Sequence, residues 1–196
     1  MNSEDQIISE IVEIYRPQIK VPTNKPRTQF FLCPVGLVGS GKTTVLKSLS
    51  EKLSLVRISG DEVRKILKEC GYDYELTWEI GQKLVAEFVE QGYSIAHDTD
   101  CATPRTQEYL KKLAQEKGVK IIWIHTNPPE EFIINKLKNF KHTWLFENAD
   151  QAIENYMSRK ALHQHLNIEF AYTFDTSKDN LNEQIEKGLV AIKNLL

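Results

Sequence analysis

Residues 36–43 read Gly36-Leu37-Val38-Gly39-Ser40-Gly41-Lys42-Thr43, and no other stretch constrains the fold as much. The run before it, Phe30 to Val35, is apolar and suits a buried strand. The run after it, "VLKSLSEKL", has helical spacing. A strand must therefore enter the glycines and a helix must leave them. The pattern is GxxxxGK[ST], which in a strand–loop–helix context makes a phosphate cradle. Glycines let the backbone bend so that successive N–H groups point inward. The following helix adds its orphan donors and the positive end of its dipole. Lys42 is placed to reach the β- and γ-phosphates, and the Thr43 hydroxyl suits Mg²⁺, a hard cation that takes oxygen ligands. The spacing predicts ATP on Gly36, Gly39, Ser40, Gly41, Lys42, Thr43 and Thr44, with Mg²⁺ at Thr43.

Five short β-rich segments are expected: Phe30 to Val35, Leu55 to Ile58, Tyr93 to His97, Lys120 to Thr126 and Ala171 to Phe174. Helical patterns fill the gaps between them. Such alternation requires crossover connections and a parallel sheet, and near-continuous apolar strands imply helices on both faces. The fold class is therefore α/β, a three-layer α/β/α arrangement around a five-stranded parallel sheet. A length of 196 residues fits one domain. Ile7, Ile8, Ile11, Val12 and Tyr15 mark an amphipathic N-terminal helix, and "VPTNKPRT" after it reads as a loop. Residues 1–29 are thus expected as a helix and loop packed on a core of residues 30–196, although the helix can equally serve an interface. Thr103-Pro104 suits an N-cap with proline at the first helical position, "NPPEE" suits an acidic first turn, and Gly71, Gly92 and Gly118 suit helix ends.

Composition excludes several classes. A net charge of −2 argues against general nucleic-acid binding and leaves only a local basic groove. Cys33, Cys70 and Cys101 form no CxxC pair, so neither a zinc site nor a disulfide framework is expected, and a reducing cytoplasm fits. The N-terminus lacks a basic segment followed by an apolar run, and no apolar run approaches the roughly 20 residues that span a bilayer, so no membrane partner is expected. His163 and His165 are two apart and do not face one another on a helix, so a metal site there is not expected; His97 and His125 lie in apolar strands.

Within the nucleotide-binding class, a GTPase would need an NKxD base reader, and "NKLK" at Asn135 lacks the aspartate. "ISGDEVRKIL" sets Asp61 and Arg64 just past the second strand, and "AHDTDCATPR" sets Asp98, Asp100 and Arg105 just past the third. Ligands of parallel α/β sheets gather outside the carboxyl ends of the strands, where the glycine loop also lies. The GSGKTT loop, GDEVR, the HDTD segment and the late FDTSK together resemble the polynucleotide kinase and zeta-toxin group of P-loop kinases, over the chain from Phe30 onward. The resemblance implies that Asp61 accepts the proton of a substrate hydroxyl. It implies a mobile helical lid, here residues 136–165, and a nucleotide-base pocket at Thr176, Ser177 and Lys178. Lids of this group carry several arginines, whereas this one has Arg159 alone, with Lys136, Lys138 and Lys141 upstream.

Each residue also has a plainer reading. Ser59-x-x-Glu62 is a capping box, which puts Asp61 in a helix first turn. Arg64 either pairs with an anionic substrate group or is a solvated charge. Asp98 holds Mg²⁺ through water or ends a strand. Asp100 ranks below it. Arg105 in a first turn opposes the helix dipole, which suggests an anionic ligand, or is a surface arginine. Ser177 lines the pocket or caps the last helix. The leading expectation is a Mg²⁺-dependent kinase moving phosphate from ATP to a hydroxyl on a small molecule, a nucleotide or a nucleic-acid end. The alternatives are a zeta-type kinase of a nucleotide sugar and a nucleotide-binding module with little chemistry.

Overall fold

The central strand β1 (Phe30–Val35) is buried at every residue, as its unbroken apolar sequence requires. It belongs to a computed structural model that describes residues 3–139, 145–164 and 166–196. The other strands are β2 (Val56–Ser59), β3 (Ile95–Asp98), β4 (Lys120–Thr126) and β5 (Tyr172–Phe174). All pairings are parallel, in the order β2-β3-β1-β4-β5. Helices α1 (Ser3–Tyr15), α2 (Lys42–Leu53), α3 (Gly60–Glu69), α4 (Thr77–Glu90), α5 (Pro104–Lys117), α6 (Glu130–Lys138), α7 (Ala149–Gln164) and α8 (Leu181–Lys193) complete the described elements. This is the three-layer P-loop arrangement that the alternation of strand and helix demands.

Side chains alternate across the sheet, so each strand feeds two cores. Phe31, Cys33 and Ile95 face one layer with residues of α1, α3, α4 and α5. Phe30, Leu32, Ala96, Ile122 and Ile124 face the other with residues of α2 and α8. Ile11, Val12 and Tyr15 of α1 are buried within the first core, so the amphipathic face of the N-terminal helix lies against the body of the protein.

Pro34 sits in this central strand without an N–H to donate, a position that normally argues against proline. The ladder to β3 has already ended at Leu32↔Ala96, so no bond is lost there. The Pro34 carbonyl instead accepts the Cys101 N–H at 3.0 Å, which ties the loop after β3 to the end of β1. A smaller apolar cluster of Ile133, Leu137, Ala152 and Tyr156 joins α6 to α7, with Leu37 and Val38 of the glycine loop packed against it. The expected lid is therefore a helical pair standing on the loop. Its α6 arm begins at Glu130, ahead of residue 136. Lys141 and His165 lie outside the described residues, as do the rest of 140–144. Among the described residues, no helix is long and apolar enough to cross a membrane.

Several helix ends follow the local sequence. Thr103 caps α5 by accepting the Thr106 N–H, with Pro104 at the first position, and Gly118 closes α5 in the left-handed region. The last helix departs from expectation: α8 starts at Leu181, and the Ser177 hydroxyl donates to Asp175 Oδ1 at 2.5 Å instead of capping it.

Because Phe31 is fully buried on the central strand, Phe31→Ala is expected to lower folding stability by about 3–5 kcal/mol through lost burial and the cavity left behind. Urea denaturation measures this, and an unchanged midpoint would refute the placement.

Candidate active site

The loop from Gly36 to Gly41 depends on glycine at its tightest points. A Cβ on Gly36 would lie 2.2 Å from Thr126 Oγ1 and 2.6 Å from Ser40 Oγ, so only glycine fits where β1 passes the end of β4. Gly39 and Gly41 adopt φ of 80° and 89°, in the region that L side chains avoid. The Ser40 hydroxyl turns inward to Thr126 Oγ1 at 2.8 Å, and the Ser40 carbonyl accepts the Thr176 hydroxyl at 2.8 Å. Ser40 and Thr176 thus lock the loop from beneath, and neither side chain lines the cleft. No side chain caps α2 at Gly41, which leaves its first-turn N–H groups facing the loop mouth. Lys42 Nζ donates to the carbonyls of Gly36 at 2.6 Å and Leu37 at 3.0 Å, folding back across the loop. Burial lowers its pKa, while Asp100, Asp61 and Asp98 pull in the opposite direction.

A cleft of about 1080 Å³ opens beside this loop. Gly39, Gly41, Lys42, Thr43 and Thr44 line it, as do Asp61 and Arg64 of α3, Asp98 at the end of β3, Arg105 of α5, Lys136 of α6 and Arg159 of α7. The sequence-predicted site residues outside its wall are Gly36 and Ser40, which shape the loop, Thr176, which braces it, Ser177, which is bonded to Asp175, Lys178, 4.0 Å from the Asp175 carboxylate, and Lys138 of α6.

The carboxylates differ in surroundings. Asp98 is 4 % exposed and ends β3. Its Oδ1 accepts the Thr43 hydroxyl at 3.0 Å and its Oδ2 accepts Arg57 Nη1 at 2.6 Å. Burial pushes its pKa up, and Arg57 and Thr43 pull it back without cancelling the rise. Asp61 is more open and accepts Arg64 Nη1 at 2.6 Å. Asp100 is opposed by burial, yet the His163 bond and the Lys42 charge outweigh it and hold its carboxyl below the usual range. The hydroxyl–carboxylate pair of Thr43 and Asp98 offers hard oxygen ligands of the kind Mg²⁺ takes, so the residues present fit that ion. The glycine loop, with the Lys42 ammonium lying across it, likewise fits a phosphate chain.

Three features were missed by sequence reasoning. Arg57 bridges Asp98 and Glu62 from the middle of β2; a charge inside the apolar run Val56-Arg57-Ile58 was the available signal. His163 of α7 reaches Asp100 Oδ2 at 2.9 Å, a contact across 63 positions that carries no local signature. The capping box forms only in its forward half. Ser59 Oγ accepts the Glu62 N–H, but the Ser59 N–H donates to the Tyr15 hydroxyl, and Glu62 turns to Tyr15 and Arg57. Arg105 has local partners, with its guanidinium 4.6 Å from the Trp78 ring centre and 3.1 Å from Glu79 Oε1, which offsets its position in a first turn. Groups of three or more His, Cys, Asp or Glu side chains able to hold a metal are absent among the described residues.

A family model described as "AAA domain" matches residues 32–165. The chain belongs to the AAA domain family. The match spans most of β1, the glycine loop, Asp61, Asp98 and helices α6 and α7, so the P-loop kinase resemblance holds for family and fold. A curated relative, the bifunctional shikimate kinase/3-dehydroquinate synthase of Thermotoga maritima, is 29% identical over 172 residues, covering 82% of this chain and 32% of the relative. The chain therefore spans about a third of that relative's length. The AAA domain also shares its fold with the Mycobacterium tuberculosis APS kinase CysC solved with AMPPNP and APS (TM-score 0.58, 13% identity, 86% of this chain and 99% of that one). It shares it again with a chain of the PezAT chromosomal toxin–antitoxin system of Streptococcus pneumoniae (TM-score 0.58, 14% identity, 100% and 96%).

His97, beside Asp98, is 6 % exposed, and neither ring nitrogen has a partner among the described residues. Burial lowers its pKa from 6.5 to about 4. The unfolded chain therefore binds a proton that the folded chain refuses between these values, and stability falls as pH drops through that window. Metal-free protein is expected to lose roughly 1 kcal/mol per pH unit below 6.5 from this group, a slope that His97→Leu removes. Urea midpoints at pH 7, 6 and 5 read this directly; equal slopes in both proteins would contradict it.

Proposed function

We propose that this chain is an ATP- and Mg²⁺-dependent kinase that phosphorylates a hydroxyl-bearing acceptor. One observation carries the reading: a single cleft joins the Lys42–Thr43 end of the phosphate loop to Asp61 and Asp98. The family match, the kinase portion of the curated relative's name and the AMPPNP bound by APS kinase support it.

When bound, ATP supplies the transferred phosphoryl group and Mg²⁺ screens its charge. The residues of the chain do the positioning. The loop amides and Lys42 hold the phosphates, with the Lys42 ammonium leaving its carbonyl partners for the phosphate oxygens. Thr43 and Asp98 would hold the metal with their hydroxyl and carboxylate oxygens. Asp61 orients the acceptor hydroxyl and accepts its proton as the new O–P bond forms and the bond to the departing ADP breaks. Phosphoryl transfer has a loose transition state, so an orienting carboxylate suffices. Arg64 and Arg105 offer guanidinium groups to an anionic part of the acceptor. Arg159 on α7 stabilises the developing charge, and α6 and α7 keep water out. Thr176 and Ser177 lie at the β5 end, where the resemblance sets the nucleotide base. Residues 1–29 act as an N-terminal support for the kinase body of 30–196. The thiols of Cys33, Cys70 and Cys101 are free, which suits a reducing compartment such as the cytoplasm.

Transfer of labelled phosphate from ATP to a panel of sugars, polyols, nucleotides and oligonucleotide ends tests this. Lys42→Ala is expected to reduce transfer by about 10²–10³-fold. Asp61→Asn is expected to reduce it by about 10²–10⁴-fold while ATP still binds. Full transfer by Asp61→Asn would remove the base assignment. Tight ATP binding with no product from any acceptor would favour the binding-module alternative.

A further inference from the structure

The N-terminal helix reaches the catalytic cleft through one unbroken line of side chains. The Tyr15 hydroxyl, on a side chain within a residue only 1 % exposed, accepts the Ser59 N–H at 3.0 Å and donates to Glu62 Oε2 at 2.9 Å. The other oxygen of Glu62 pairs with Arg57 Nη2. Arg57 Nη1 bonds Asp98 Oδ2 at 2.6 Å, and Asp98 Oδ1 accepts the Thr43 hydroxyl at 3.0 Å. Each carboxylate in the line uses one oxygen toward each neighbour, so neither can rotate without breaking a bond.

We propose that Arg57, held by Glu62 and Tyr15, is the positioning residue that aims Asp98 at the Mg²⁺ of the bound nucleotide, which makes α1 a working part of the site. The proposal rests on the reading of Asp98 given under Proposed function. Tyr15 lies outside the residues 32–165 that the family model matches, so this support is added to the AAA domain from outside it.

The physical case has three parts. Asp98 is almost completely buried, with a side chain 3 % exposed, so an unpartnered carboxylate there would be costly and poorly oriented. Arg57, with a side chain 16 % exposed, presents a planar fork that holds two carboxylates in fixed directions, which a lysine's rotating ammonium does not. Burial and Glu62 both raise the Tyr15 pKa, so its hydroxyl keeps the proton it donates. Groups behind a metal ligand tune it by fixing its orientation, and their loss typically weakens metal affinity by about 10–100-fold.

The test is binding of a fluorescent, non-hydrolysable ATP analogue in EDTA and across a Mg²⁺ titration. Wild-type protein, Arg57→Met, Arg57→Lys, Tyr15→Phe and Tyr72→Phe are compared, each checked for folding by circular dichroism. Tyr72 serves as control because its hydroxyl also bonds α1, at Glu10 Oε2, 3.0 Å away and outside the line. Arg57→Met is expected to raise the Mg²⁺ midpoint about 10–100-fold with analogue affinity in EDTA unchanged. Arg57→Lys is expected to recover part of the loss. Tyr15→Phe keeps the ring and the packing, and loss of its one donor is expected to raise the midpoint roughly fivefold. Saturating Mg²⁺ should restore its transfer rate, a rescue that a merely structural defect would not show. A wild-type midpoint in Arg57→Met, or equal shifts in Tyr15→Phe and Tyr72→Phe, would overturn the proposal while leaving the kinase reading intact. Wild-type binding with no Mg²⁺ dependence would instead remove the role of Asp98 itself, and this inference with it.

Discussion

The closest constraint in the molecule is the passage of β1 past the end of β4 at Gly36, where a single added carbon would meet Thr126 Oγ1 at 2.2 Å. A loop that offers amides to a ligand can spend few of them on itself; the Ser40 N–H closes one turn on the Leu37 carbonyl at 3.1 Å. The rest of its support comes from outside. The Ser40 and Thr126 hydroxyls, the Thr176 bond to the Ser40 carbonyl and the packing of Leu37 and Val38 on α6 and α7 all do that work. The first turn of α2, the direction of Lys42 and the place of Thr43 beside Asp98 depend on that curl. The sheet order adds the remainder, because β3 and β4 flank β1 and bring their carboxyl ends to the same edge.

The charges of the cleft are arranged in pairs, and the pairs differ in depth. The half-buried Asp61–Arg64 contact is a local contact on one helix and contributes little to stability. In the Glu62–Arg57–Asp98 group, Arg57 and Asp98 are largely withdrawn from water. Such a group gains little over a well-packed apolar substitute, yet removing one member costs about 3–5 kcal/mol because a buried charge is left unpaired. Its presence is better explained by orientation than by stability. The same holds for Asp100, which His163 and Lys42 keep charged against the pull of burial. That contact also joins α7 to the loop after β3 through one hydrogen bond.

Much of this was legible in residue order. GxxxxGK[ST] specifies a loop between strand and helix because no other context can use three glycines and a buried lysine together. The strand segments were visible because strands covered on both faces are apolar throughout, and their ends moved by only one or two residues, as at Leu55 and Tyr93, where flanking apolar residues belong to the connecting loops. Thr103-Pro104 and Gly118 set helix ends through local bonds and local backbone freedom, so they too were readable. Ser177 was not, because Asp175 two residues earlier offers its hydroxyl a closer partner than the start of α8 does.

What the sequence determined by itself was the layered α/β class, the phosphate loop and the set of acidic residues at strand ends, since each rests on periodicity or on bonds within a few residues. The tertiary structure alone decided which of those acids are paired and with what. Arg57 reaches Asp98 across 41 positions, Tyr15 reaches Glu62 across 47, and His163 reaches Asp100 across 63. The physical reason is that burial and charge pairing are properties of packed neighbours. Sheet order and helix docking choose those neighbours, and no local pattern records the choice.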